Sequence, residues 1–183
     1  MKNKGFTLIE IMVVIAITAL IGGMVLANMR SGGEVIDLKN SAQKLTEIIK
    51  QAQMMAYSGK QINGQRADYG YGVYVNDVST PSSYKLFIND NNGTNYAYNE
   101  GDTIIKEFHL SNNIYLDAVD HYFVIFVPPG RPPGEKTYVG TTTSGSLLKD
   151  SGGRSLVHIK HKIGRSAYIR INSQGRINLL ESL

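Results

Sequence analysis

From Phe6 to Ala27 the chain runs for 22 residues with a single charged side chain, Glu10. As a helix that stretch spans roughly 33 Å, enough for the hydrocarbon core of a bilayer. A charged side chain inside that core costs on the order of 2.5 to 3.5 kcal/mol on insertion scales. One end of the molecule is therefore expected to be an apolar helix whose buried charge needs a partner. Lys2 and Lys4 precede the run, as they would in a secretory signal. Such a signal has a shorter apolar core and a small-residue cleavage site. This run is longer and flows into more helix, which favours a retained membrane anchor.

Past Gly22-Gly23 and Ser31-Gly32-Gly33, apolar residues recur at Leu38, Ala42, Leu45, Ile49, Ala52 and Ala56. Alternating steps of four and three describe one face of an amphipathic helix. Lys39, Lys44, Glu47 and Lys50 lie off that stripe, and Ser58-Gly59 ends it. Glycine costs about 1 kcal/mol in a helix relative to alanine, so the glycine pairs are expected places of bending or melting. The stripe suits a free coiled coil or packing under a sheet, and its short length favours the sheet.

Beyond Gly59 the pattern changes to that of strands. Tyr71 to Val75, Tyr84 to Ile88, Thr103 to His109, Asn113 to Asp117, Tyr122 to Val127, Leu156 to Ile163, Ala167 to Asn172 and Arg176 to Leu179 are rich in branched and aromatic residues. Glycine, asparagine or proline separates most of them, and STPSS and GTTTSGS read as polar loops. The expected architecture is α+β, a long N-terminal helix packed on an antiparallel sheet. With 183 residues the chain has room for one globular domain behind the anchor.

Two chemistries are limited by composition and spacing. There are no cysteines, so disulfides and thiolate metal sites are excluded. His109, His121, His158 and His161 lie outside any HExxH or nucleophile-elbow pattern and read as surface or half-buried side chains. His158 and His161 are three apart on a predicted strand, which puts them on opposite faces. The loop NDNNGTNYAYNEGD offers alternating oxygens from Asp90, Asn92 and Thr94, with Glu100 and Asp102 beyond. A calcium loop of the EF-hand kind needs glycine at its sixth position, where Asn95 stands, and a turn rich in asparagine and glycine accounts for the composition. No metal, cofactor or catalytic residue is expected.

The formal charge of +4 is unevenly spread. Residues 60–120 hold 4 basic and 8 acidic side chains, whereas residues 151–183 hold 6 basic ones and a single acid, Glu181. SLVHIKHKIGRSAYIRIN can be written as a hairpin with a three-residue loop, Gly164-Arg165-Ser166. That register pairs Ile163 with Ala167, His161 with Ile169, Lys162 with Tyr168, Lys160 with Arg170 and His158 with Asn172. Val157, Ile159, Ile163, Ala167, Ile169 and Ile171 then share the apolar face. Like charges directly opposite are destabilising unless they splay into water or meet an anion. A nucleic-acid backbone is one such anion, with Tyr168 available to stack on a base.

KGFTLIE, followed by an apolar helix, resembles the leader of type IV pilins and secretion pseudopilins. The resemblance implies cleavage between Gly5 and Phe6 by a membrane-embedded prepilin peptidase, and N-methylation of Phe6 as the new N-terminus. It implies that Glu10 meets the amine of a neighbouring subunit in the growing filament, so the buried charge becomes an assembly device. The expected segments are then a leader at 1–5, a transmembrane and assembly helix at 6–27, its amphipathic continuation at 28–58 and a β-rich domain at 59–183. YKLFINDNNGTNYAYNEGDTIIKEFHL, FVPPGRPPG and INSQGRINLL are similar to segments of GspH/FimT-type minor pilins.

The implied function is non-enzymatic, as a minor pilin or pseudopilin of a type IV pilus or type II secretion system, with a major pilin as the alternative. The implied partners are other subunits, the peptidase and an inner-membrane assembly platform. The implied location is a single pass of the inner membrane, with the globular domain outside the cytoplasm, and then the filament. Some FimT-like proteins are implicated in DNA uptake through an arginine-rich terminal strand with a second arginine shortly after its glycine-arginine pair. Here Gly175-Arg176 is followed by Ile177 and Asn178, a departure from that pattern. Lys160, Lys162, Arg165, Tyr168, Arg170 and Arg176 are the candidate nucleic-acid-binding residues.

Overall fold

The computed structural model describes residues 6–62, 64–67, 69–76, 82–90, 96–117, 123–129, 137–141, 144–147, 154–172 and 175–182. Of these, residues 27–32, 65–66, 76, 117, 137–141, 144–147, 154–156 and 181–182 are described by backbone alone. The chain divides into two compact units, Met1–Ile36 and Asp37–Leu183.

A single helix, α1, runs over Leu8–Ser58. Helical hydrogen bonding continues through Gly22, Gly23 and Gly33, where bending or melting was expected. A Cβ added at any of those three would meet nothing within 4 Å, so no packing within the chain demands glycine there. The helix stops where the sequence predicts. Gly59 takes a positive φ of 60°, its N–H donates to the Ala56 carbonyl at 3.3 Å, and the Lys60 N–H donates to the Met55 carbonyl at 3.2 Å. That pair of bonds is the Schellman arrangement, and it satisfies carbonyls the last turn leaves open.

Among the described residues twelve strands follow: β1 (Gln61–Ile62), β2 (Gln65–Arg66), β3 (Tyr71–Asn76), β4 (Ser83–Ile88), β5 (Thr103–His109), β6 (Ile114–Asp117), β7 (Phe123–Phe126), β8 (Thr137–Thr141), β9 (Ser144–Leu147), β10 (Arg154–His161), β11 (Ser166–Ile171) and β12 (Ile177–Ser182). All pairings are antiparallel. They make a two-stranded ribbon of β1 and β2, a six-stranded sheet in the order β5-β4-β3-β7-β8-β9, and a four-stranded sheet in the order β12-β11-β10-β6. The expected single sheet is thus two larger sheets. GTTTSGS, expected as a polar loop, lies largely within the β8–β9 hairpin, where Gly140 pairs with Gly145 and Thr141 with Ser144. Ser82 and Ser83 of STPSS are buried rather than looped into water. Of FVPPGRPPG, residues 130–134 lie outside the described residues.

The core forms where the helix stripe meets both sheets. Leu38, Ala42, Leu45, Ile49, Ala52 and Ala56 are all buried, joined by Met55. They belong to one cluster with Tyr71, Val73, Leu86 and Phe126 of the six-stranded sheet and with Leu116, Val157, Ile159, Ile169 and Ile171 of the four-stranded one. Alanine at three of the seven helix positions lets backbone approach sheet closely, and the alternation of each strand supplies the facing surface.

The six-stranded sheet is covered on its other face as well. Phe87, Phe123, Ile125 and Val127 cluster there with Ala97, and Tyr74, Tyr96 and Tyr98 pack against them. Gly72 makes room for this layer, since a Cβ at that position would lie 2.5 Å from the Phe87 ring.

Candidate functional site

The N-terminal helix begins at a capping box. Thr7 Oγ1 accepts the Glu10 N–H at 3.3 Å, and one carboxylate oxygen of Glu10 accepts both the Thr7 N–H and the Thr7 hydroxyl at 2.9 Å. Thr-x-x-Glu satisfies otherwise orphaned donors of the first turn reciprocally. Glu10 thereby has partners inside its own chain, a role the sequence reading missed although the signature stands in FTLIE. Around it the surface is apolar: Phe6 is 85% exposed, and Ile9, Ile11, Val13 and Val14 are exposed beside Glu10. Leu8–Leu26, with a mean hydropathy of 2.5, is one helix long and apolar enough to cross a membrane. Gly5 lies outside the described residues.

The C-terminal hairpin differs from the expected register. Observed partners are Lys160 with Ser166, Ile159 with Ala167, His158 with Tyr168 and Val157 with Ile169, with a bulge between Ser155 and Val157. The loop does have three residues, but they are Lys162, Ile163 and Gly164. The His161 N–H donates to the Arg165 carbonyl at 2.8 Å, and the Gly164 N–H donates to the His161 carbonyl at 2.9 Å. Gly164 has a φ of +94°. A three-residue hairpin loop takes its left-handed residue last, so glycine belongs at the third loop position and not the first.

The correction preserves which residues face the core. Val157, Ile159, Ala167, Ile169 and Ile171 are buried, whereas Ile163 leaves the apolar face for the turn, 49% exposed. It also removes the like-charge pair. Arg170 lies against Ser155 and Asn178, four residues along β11 from the Ser166 that faces Lys160, or about 13 Å at strand rise. Between them His158 and Tyr168 stack with centroids 4.3 Å apart and rings 12° from parallel. Lys162 and Arg165 are exposed at one end of the hairpin. Arg176 is exposed at the other, where its N–H donates to Asn172 Oδ1 at 2.7 Å. The structure therefore divides the six candidate residues between a sheet face and two opposite turns. Gln53 of α1 ties down the second turn, its Nε2 donating to the Gly175 carbonyl at 2.9 Å.

His158 and His161 lie on opposite faces. His161 is buried at 2% exposure, a correction to the expected surface or half-buried side chain. Its Nδ1 accepts the Ile163 N–H at 3.3 Å. Asp102, also buried, closes the neck of the asparagine-rich loop. Its two oxygens accept the Asp90 N–H at 3.1 Å and the Asn99 N–H at 2.8 Å, while Asp90 Oδ2 accepts the Thr103 N–H at 3.2 Å and its hydroxyl at 2.7 Å. Burial pushes the Asp102 carboxyl up, the two N–H donors oppose this, and the Asp90 charge adds to the rise. Asn92 and Thr94 lie outside the described residues. Among the described residues no three of His, Cys, Asp and Glu gather as a metal-ligand group.

Searches of the curated proteins and of the solved structures found no match to the chain. Residues 1–26 match the family described as the prokaryotic N-terminal methylation motif. That match, at the head of an exposed apolar helix on an α+β fold, supports a type IV pilin-like protein of the kind processed by prepilin peptidase.

Proposed function

We propose that the chain is a non-enzymatic minor pilin or pseudopilin of the GspH/FimT type. It is cut between Gly5 and Phe6, methylated at Phe6, held in the inner membrane by the helix beginning at Phe6 with its globular unit outside the cytoplasm, and then built into a pilus or secretion pseudopilus by way of an assembly platform. The observation that carries the reading is the methylation motif over residues 1–26 heading a helix whose large apolar side chains are exposed from Leu8 to Leu26. An apolar helix surface of that extent needs lipid or other helices around it. A Gly5→Leu variant should remain uncut and accumulate as full-length chain in the membrane, which blotting of membrane fractions reads. Normal processing of that variant would contradict the assigned site.

A second reading, nucleic-acid binding in DNA uptake, is supported by the exposed Lys162, Arg165, Arg170 and Arg176 in a segment with one acid. The full chain in detergent should then bind duplex DNA weakly. With about three phosphates neutralised, log affinity should fall against log salt with a slope near −2.7. Absence of binding at low salt by folded protein removes this reading.

A further inference from the structure

The charge asymmetry of the sequence appears on the globular unit as two surfaces that mirror one another. The first is the β10–β11 turn. Ile163 is 49% exposed there between exposed Lys162 and Arg165. The turn is held by backbone bonds already described and by the Lys162 N–H donating to the Asn113 carbonyl at 3.0 Å. An isoleucine flanked by two cations is therefore presented to solvent on a preorganised loop, which lowers the ordering cost of any contact it makes.

The second surface lies beside β5, the edge strand of the six-stranded sheet. The β4–β5 register sets Ile104 opposite Phe87 and Glu107 opposite Lys85, both on the face away from the helix. Ile104 is 44% exposed, and Glu107 and Glu100 are exposed. Tyr98 stacks on Tyr74 at 4.0 Å and meets Phe87 edge-on at 5.0 Å. Burial first, then Tyr74, Asp102, Glu100 and Glu107, hold its phenol above the usual value. Lys85 Nζ reaches Glu107 Oε1 at 4.0 Å, the long limit of an ion pair, and the Glu107 side chain keeps 40% of its surface. Lys106 is turned over the Phe108 ring at 5.1 Å.

We propose that the Lys162-Ile163-Arg165 turn of one copy docks on the Glu100-Ile104-Glu107 patch of a second copy of this chain. Each surface is an isoleucine flanked by charge, and the two charges are opposite. The two patches are different parts of one chain, so the contact is head-to-tail, and such a contact repeats along an open helical filament when its rotation does not close. Complementary charge fixes the register, and the isoleucine pair excludes water at the centre. The inference rests on the filament reading and adds to it that at least two copies stand side by side.

The absence of cysteine makes the contact directly readable. Two differently tagged full-length chains, one carrying Ile163→Cys and the other Ile104→Cys, would be produced together, and assembled filaments treated with a short bismaleimide. The expected product is the mixed cross-link, well above either chain linked to itself. Lys162→Glu with Arg165→Glu should lower it about fivefold, the scale of two exposed ion pairs, and Glu100→Lys with Glu107→Lys in the other chain should restore it. No mixed cross-link, or equal linking of all three kinds, in filaments that contain both chains would overturn the contact while leaving the filament reading intact. Failure of unmodified chain to enter filaments would overturn both. Loss of the cross-link on adding a DNA oligonucleotide at low salt would reassign the turn to nucleic acid and overturn the proposal.

Discussion

Glu10 is the residue at which the demands of membrane and of partner meet. In lipid its charge costs on the order of 2.5 to 3.5 kcal/mol, and the two bonds from Thr7 offset part of that within the chain. An internal cap of this kind is available before any neighbour arrives, so the carboxylate need not wait unpaired for assembly. Glu10→Val should accordingly insert and be processed at least as well as the parent, while losing the interaction that a second subunit's amine would supply. Its incorporation into filaments at native expression should fall at least tenfold by quantitative blotting of sheared filaments. Undiminished incorporation would remove the assembly role. At this scale the sequence was legible where chemistry is local. The Ser58-Gly59 stop was read because it acts through bonds within one turn of helix, and Thr-x-x-Glu acts in the same way but was overlooked. His161 continues the alternation of Val157 and Ile159, so its burial was legible in the period of the strand, and it was misread because residue type was weighed above that period.

Among the elements, the helix stripe and the inward faces of the strands followed from periodicity, since burial selects one face at every second or every third and fourth residue. All six predicted stripe positions are in the core, as are the odd-numbered residues of β10 from Val157. Register along the hairpin did not follow, because shifting the pairing by an even number of residues, four here, keeps the apolar side chains of the paired strands on the same face. Only the placement of a left-handed residue in the loop distinguishes the alternatives, and that is where Gly164 decides. Gly164→Ala should therefore destabilise the globular unit by about 1 kcal/mol through backbone strain alone, because open space surrounds the added Cβ. Chemical denaturation of the detergent-solubilised chain would read the change as a lower midpoint with an unaltered slope. An unchanged midpoint would mean that the turn does not require the left-handed backbone. β8 and β9 were missed because the adjacent Tyr138 and Val139 and the run Ser144-Gly145-Ser146 give no apolar alternation to detect, although their pairing extends the sheet.

For the whole molecule, the central claim is that a retained, methylated apolar helix makes this chain a filament subunit. The division into units at Ile36/Asp37 and the single helix running through that boundary suit a protein with one lipid- or helix-seeking surface and one water-facing domain. Ordinary signal cleavage would discard the apolar stretch and leave the globular unit without an anchor, so the two accounts predict different covalent molecules. Intact-mass and N-terminal peptide mass spectrometry of the chain isolated from native filaments distinguishes them in one measurement. A mature chain that begins at a monomethylated Phe6 is the predicted result; a chain that begins near Ala27, or one that retains Met1 to Gly5 in assembled material, would contradict it.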